Sequence, residues 1–389
     1  MNAKTQKARE IEFLVALASI PDIGPLTIKK LIASFGSARA VFEAPKERLL
    51  ASGIGQKRAG GISGFSGWED VRGMLERAGR AGIKVLAAGS AEYPAPLMDI
   101  PDYPPVLYMK GDVLEEDKFA IGIVGTRTPT HYGRLHAENI AAGLAKKGFT
   151  IVSGLARGID SAAHKGALRA GGRSIGVMGS GLDVPYPPEN HALMQSLASS
   201  GAVLSEFPPG TGPSRENFPR RNRIISALSL GVLVVEAGKG SGSLITANCA
   251  LEQGKEVFAV PGNISSSVSS GTNELIKNGA KMVTGIDDII EELAPVLKGF
   301  LDLDRLSSGN GRAPSAEALW QGPARQGQLK TSLDPGERRV VEALGPEPVH
   351  IDELARQLGM GAPQIMGLLL HLELKGIVKQ AAGKKFFIC

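Results

Sequence analysis

An α/β fold built on a doubly wound parallel sheet, with helical segments at both ends of the chain, is the architecture the sequence predicts. Three observations carry it. Between Phe119 and Gly262, runs that are apolar throughout (FAIGIVG, TIVSGLA, RSIGVMGSG, AVLSEF, GVLVVEAG, KEVFAVPG) alternate with helix-patterned stretches. Uniformly apolar strands are buried on both faces, and strands that alternate with helices form parallel sheets. Ahead of them stand several short helix patterns, and behind them a polar stretch leads to a further helical segment. The 389 residues, 43% hydrophobic and 21% charged, suffice for more than one domain at about 100–200 residues each.

Residues 1–90 read as a compact helical domain. EIEFLVALASI has apolar residues at helical spacing, and the turns PDIG and SGIG each resemble half of a helix-hairpin-helix. In GIGQKRA the glycines permit a tight turn whose free N–H groups suit a phosphate, with Lys57 and Arg58 adding charge; the plainer alternative is glycine used only to turn. Residues 91–298 form the Rossmann-like domain, whose ligand crevice is expected beyond the carboxyl ends of the strands. Residues 299–332, rich in Gly, Ser, Pro, Ala and Gln, read as a flexible linker. In residues 333–389, three helix patterns and the hairpin pattern IVKQAAGKKFFIC make a winged helix. Its third helix shows Met366, Leu369, Leu370 and Leu372 beside Glu373 and a single Lys375, with Lys384 and Lys385 in the wing; so little positive charge suits protein contact better than a DNA groove.

A net charge of +5 permits an anionic partner without demanding one. Cys249 and Cys389 have neither disulfide nor metal-ligand spacing, which fits a reducing compartment. No signal peptide stands at the start and no apolar run nears the about 18 residues of a membrane span, so a cytoplasmic location is expected.

The chemistry lies in the turns. GIVGTRTPTHYG lacks the glycine spacing of a dinucleotide site and offers Arg127, a residue that grips phosphate bidentately, unless a carboxylate holds it. LSEFPPGTGPSRENFPRRNRII places Arg215, Phe218, Arg220, Arg221 and Arg223 on a proline-rich loop leading into a helix expected from Ile224. Basic residues around an aromatic ring suit single-stranded nucleic acid; Asn222 and Arg223 can equally be cap and brace. GKGSGSLITA sets Lys239, Ser241 and Ser243 ahead of a helix expected near Leu244, an anion nest or a simple cap by Ser243. Asp160 and His164 lie on one helix turn, where a proton-transfer pair is conceivable but packing and capping are the simpler account. Glu206 and Glu236 end strands singly, and pairing to nearby arginines is expected. No nucleophile, metal cluster or cofactor site stands out. Leu275 and Ile276, late in the domain, are candidates for a subunit contact.

GIVGTR, SGLARGIDSAAHKGAL, GSGLDVPYPPEN, NFPRRNRIISALS, SGSLITANCALEQGKEVFAVPG and SSGTNELIKNGA together resemble the bacterial DNA-processing protein A (DprA, or Smf) family over about residues 93–297. The resemblance implies a sterile-alpha-motif-like N-terminus, a Rossmann domain and a C-terminal winged helix. It implies a homodimer without catalysis or cofactor that binds and protects incoming single-stranded DNA during natural transformation. It further implies that this protein loads RecA recombinase onto the DNA, with single-strand-binding protein as a further partner. Carried over, the DNA-contacting positions are Arg127, Arg215 and Phe218. GSG at Gly179–Gly181 stands where the family often has GCG, and SALS at Ser226 where it has SGLS. Two other readings compete: a Rossmann enzyme resembling the lysine-decarboxylase-like nucleoside phosphate hydrolases, and a sequence-specific regulator. The first lacks its PGGxGT turn, and the second lacks arginine or asparagine in the recognition helix.

Overall fold

The computed structural model describes residues 3–297 and, beyond them, residues 335–344, 349–361, 365, 368, 369, 372, 378–381 and 385–388. They fall in two compact units, one ending at Leu319 and the other beginning at Trp320.

The first unit opens with helices α1 (Ala3–Ser19), α2 (Pro25–Phe35), α3 (Ala38–Glu43), α4 (Lys46–Ala51), α5 (Gln56–Ser63) and α6 (Trp68–Arg80). Phe13, Phe42, Phe65 and Trp68 interlock among them, Phe42 and Trp68 with ring centroids 4.9 Å apart. The turns PDIG and SGIG meet each other: Lys57 Nζ lies 2.5 Å from Asp22 Oδ2, and Arg58 Nε donates to Asp22 O at 2.8 Å. Those two cations are thus engaged within the fold.

The sheet follows: β1 (Lys84–Ala87), β2 (Val106–Gly111), β3 (Ala120–Val124), α7 (His131–Lys146), β4 (Thr150–Ser153), α8 (Ile159–Arg169), β5 (Ser174–Met178), α9 (His191–Ser200), β6 (Ala202–Ser205), α10 (Asn217–Ala227), β7 (Gly231–Val234), α11 (Gly242–Glu252), β8 (Glu256–Ala259), α12 (Ser270–Lys277), β9 (Lys281–Met282) and α13 (Ile286–Leu297). The strand order is β1-β2-β6-β5-β4-β3-β7-β8-β9. From β6 to β9 all pairs are parallel, whereas β1 and β2 add an antiparallel edge. Ile121 of β3 stands opposite Ile151 on one side and Gly231 on the other. The chain therefore winds outward from β3 in one direction and restarts at β7 in the other, which makes the β3–β7 boundary the switch point where such sheets bind ligands.

Helices α7, α8 and α13 cover one face through Ile140, Leu144, Ile159 and Leu293, against Ile121, Ile123, Ile151 and Phe258. On the other face Ile224, Ile225, Ala247 and Ala250 pack on Val124, Val152, Val232 and Val234. Leu14, Leu17 and Ile28 of the helical segment share a core with Met178, Leu193 and Leu197, so the N-terminal helices lean on the sheet domain. Leu275 packs against its own core, and Ile276 is half-buried.

Two helix starts differ from the sequence expectation. α10 begins at Asn217, seven residues before Ile224. The proline that reads as a loop signal, Pro219, sits in the first turn, where its missing N–H leaves no bond unmade. α11 begins at Gly242 and is capped by Ser241, whose Oγ accepts from Ser243 N at 3.4 Å, so the cap is Ser241 rather than Ser243.

In the second unit α14 (Pro335–Ala343) and α15 (Ile351–Leu358) accompany a sheet of β10 (Val349–His350), β11 (Val378–Ala381) and β12 (Lys385–Ile388), in the order β10-β12-β11. β11 and β12 form the expected antiparallel hairpin, with Gln380 opposite Phe386. Val340, Leu354, Ile365, Leu369, Leu372, Val378 and Phe386 make its core, a winged-helix arrangement. Met366, Leu370, Glu373, Lys375 and Lys384, together with the linker, lie outside the described residues.

Candidate nucleic-acid interface

Three turns close together at the switch point because glycines let them. After β3, Thr126 N donates to Glu236 O at 2.7 Å, and Ile159 N, at the start of α8, donates to Thr126 O at 3.2 Å. Gly158 has φ +79°, and a Cβ on it would stand 2.3 Å from Thr126 O, so a side chain there would drive the β4 turn away from the Arg127 turn. Glu236, buried after β7, accepts from Thr130 N at 2.9 Å and from Thr130 Oγ1 at 2.5 Å. The expected arginine partner of Glu236 is thus replaced by Thr130, which itself caps α7 through Gly133 N at 3.1 Å.

Between these turns and the starts of α10 and α11 lies a cavity of about 310 Å³. Arg127, Phe218, Arg221, Ser241 and Ser243 line it; Arg215, Arg220, Arg223 and Lys239 do not. Asp160, Asn222 and Thr246 also line it, although the residue types alone did not single them out for the site. At its mouth the Phe218 ring lies under two guanidinium groups, Arg127 at 5.0 Å and Arg221 at 5.9 Å, with Tyr186 at 6.0 Å.

The arginines of FPRRNR have three different fates, set by helical geometry. Arg221 is buried; its Nη1 donates to Gly154 O and to Val177 O, the latter at 2.6 Å, and its Nε donates to Asn222 Oδ1 at 3.1 Å. Gly154 is required there, since a Cβ would lie 2.0 Å from Arg221 Nη1. Arg223 is locked between Asp102 Oδ2 at 2.8 Å and Glu206 Oε2 at 2.9 Å. Arg220 reaches Glu206 at 3.5 Å and stacks over Phe207 at 5.1 Å, yet its side chain remains 54% exposed. Asn222 is not the cap of α10 but a tie between helices, donating to Gly242 O at 3.1 Å. Arg127, Arg215 and Lys239 are exposed and have no ion pair with any described residue. By contrast Arg157, in the β4 turn, forms an exposed bidentate pair with Glu189.

Burial pushes the Asp160 carboxyl above its ordinary range; Arg221 and the amides of Ala156 and Gly154 oppose that shift. Burial likewise lowers Arg221, with Asp160 opposing. His164 does not pair with Asp160. Its Nδ1 meets Ser174 Oγ at 2.7 Å, and since that hydroxyl donates to Ile151 O, Nδ1 is the donor and Nε2 is left without a partner. Burial lowers its pKa to about 3, so the ring stays neutral. The site therefore offers a recessed guanidinium and a helix N-terminus inside, with the exposed Arg127 and an aromatic ring beside them: chemistry for phosphates and a base.

Residues 84–294 match the family model of DNA recombination-mediator protein A, and residues 324–384 that of the DprA winged helix domain. The chain is 33% identical over 398 residues to protein Smf of Synechocystis, covering 97% of this chain and 98% of the relative. It is 48% identical over 213 residues to DNA processing protein DprA of Bacillus subtilis, covering 54% and 72%. Among solved structures, DNA processing protein A of Streptococcus pneumoniae aligns with a TM-score of 0.59 at 33% identity, over 75% of this chain and 99% of that one. The Helicobacter pylori protein, whose structure describes single-stranded DNA binding, aligns with a TM-score of 0.50 at 34% identity, over 55% and 96%. The chain belongs to the DNA-processing protein A (DprA/Smf) family of DNA recombination mediators.

Proposed function

We propose that this protein binds single-stranded DNA of any sequence across the turns at the carboxyl edge of its sheet, protects it, and hands it to RecA recombinase during natural transformation. It acts as a homodimer in the cytoplasm and without catalysis, with single-strand-binding protein as a further partner. The observation that carries the reading is Arg127, exposed, without an ion pair to any described residue and stacked over Phe218 at the cavity, with Arg215 and Lys239 likewise exposed and without an ion pair to a described residue in the turns ahead of α10 and α11. Free cations on exposed turns serve a polyanion better than they serve the fold. Arg127 and Arg215 hold phosphates, with Arg220 beside them; Phe218 receives a base; Ser241 and Ser243 present the α11 N-terminus; Arg221 and Arg223 hold the frame. The hydrolase alternative is weakened by Glu252, the next acid after the β7 turn, because it ends α11, about 9 Å along the helix from Thr246, the last residue of α11 that lines the cavity, at 1.5 Å per residue. Titration of labelled oligothymidine against a salt series, with free nucleotides as competitors, tests the reading. Steep salt dependence and weak competition by free nucleotides are expected; no binding at low salt overturns it.

A further inference from the structure

Tyr132 is 46% exposed at the edge of the candidate site, and the roles given to Arg127, Phe218 and the cavity leave it unused. It is the second residue of α7, whose first turn is fixed by Thr130 and the buried Glu236 beneath it. The ring is held from two sides: its hydroxyl donates to Pro261 O at 3.3 Å, and it packs on His136 with centroids 4.1 Å apart at 49°. A ring tethered in this way has little rotamer freedom left to lose, and its remaining face is open to solvent.

Its position continues the site. α7 starts directly after the Arg127 turn, and Pro261 follows β8, so the ring stands at the same carboxyl edge, one strand beyond the β7 turn that carries Lys239. His131 and Arg134 are exposed on the adjoining ridge of α7 and have no ion pair with a described residue. Leu135, three residues on along α7 and 47% exposed, extends the apolar surface beside it. A fixed aromatic face flanked by the Arg134 cation and the polar His131 ring suits one base and its backbone phosphates; a purely apolar protein partner would leave Arg134 unused.

We propose that Tyr132, backed by His136, is a second base-stacking platform that carries single-stranded DNA from Phe218 across β3 and β7 to the β8 edge. This rests on the DNA-binding reading above. The test is fluorescence anisotropy with labelled oligothymidine of about 20 nucleotides, long enough to span such a groove, and with an abasic oligonucleotide of equal length. Tyr132→Ala should weaken the thymidine oligonucleotide about fivefold or more and the abasic one hardly at all, while Tyr132→Phe stays within about twofold. Equal losses on both oligonucleotides, or none, overturn the platform. Independently of any variant's folding, photocrosslinking of 5-iododeoxyuridine DNA to the wild-type protein should label Tyr132; labelling at Phe218 without Tyr132 refutes the platform alone. Wild-type protein that binds neither oligonucleotide refutes the DNA-binding reading itself.

Discussion

Arg127→Ala and Arg221→Ala each remove a guanidinium group that lies over the Phe218 ring, and the structure assigns them opposite consequences. Arg127 is exposed and pairs with no carboxylate among the described residues, so its loss strands no buried partner among them, and stability should change by no more than about 0.5 kcal/mol. Its loss from a phosphate contact costs about 1.5–3 kcal/mol of binding, about ten- to 150-fold in affinity. The log–log salt slope for single-stranded DNA should flatten by about 0.7. Arg221 is buried and donates to the carbonyls of Gly154 and Val177. Truncation leaves both acceptors dry and Asp160 without its compensating charge, at a cost of about 3–5 kcal/mol, or a melting point lower by at least about 6 °C. Oligothymidine anisotropy at several salt concentrations and thermal melts followed by circular dichroism measure the pair. An Arg127→Ala protein that melts early, or an Arg221→Ala protein as stable as the wild type, would refute the division into a gripping and a framing arginine.

Gly154→Ala should reproduce part of the Arg221 defect, about 1–3 kcal/mol in urea unfolding, because the new methyl occupies the guanidinium's place; an unchanged midpoint sinks the argument. Because burial raises the Asp160 pKa above its ordinary 3.8, the native state binds the extra proton. Stability from this group is therefore greatest below about pH 4 and falls as pH rises toward the raised value. Asp160→Asn should flatten that descent in urea titrations across the acid range, and parallel profiles would contradict it. A Leu275→Glu, Ile276→Glu double variant is expected to sediment as a monomer; a dimer removes this segment from the subunit contact, although Leu275 also packs on its own core, so the fold must be verified first. Deleting residues 333–389, which belong to the second compact unit, should leave oligothymidine affinity within about threefold, a change under about 1 kcal/mol. A tenfold loss places the winged helix in the DNA site.

How far the residues alone reveal this site depends on whether their meaning is local. The strands β3 to β8 are legible because burial on both faces makes each a uniform apolar run, and the switch point follows from their order. β1, β2 and β9 are not so legible: β1 and β2 form an antiparallel edge set off by prolines, and β9 is two residues long. The same limit governs the site. Arg127, Phe218 and the Ser241 turn are legible as candidates from charge, ring and glycine–serine pattern, and the structure brings all three to the cavity. The roles of the neighbouring arginines are not legible, for they differ only by helical phase. Starting α10 at Asn217 rather than Ile224 turns Arg221 inward to the ends of β4 and β5, sends Arg223 to Asp102 and Glu206, and leaves Arg220 half free. Pro219 conceals that start, because proline marks a loop as readily as a first turn. Asp160 is harder still: it reaches the cavity only because Gly158 lets the β4 turn cross close to the Arg127 turn, an approach encoded in residues of two separate strands and their distance in space. Charge and ring are thus readable one residue at a time, whereas the frame that aims them is a property of the closed fold.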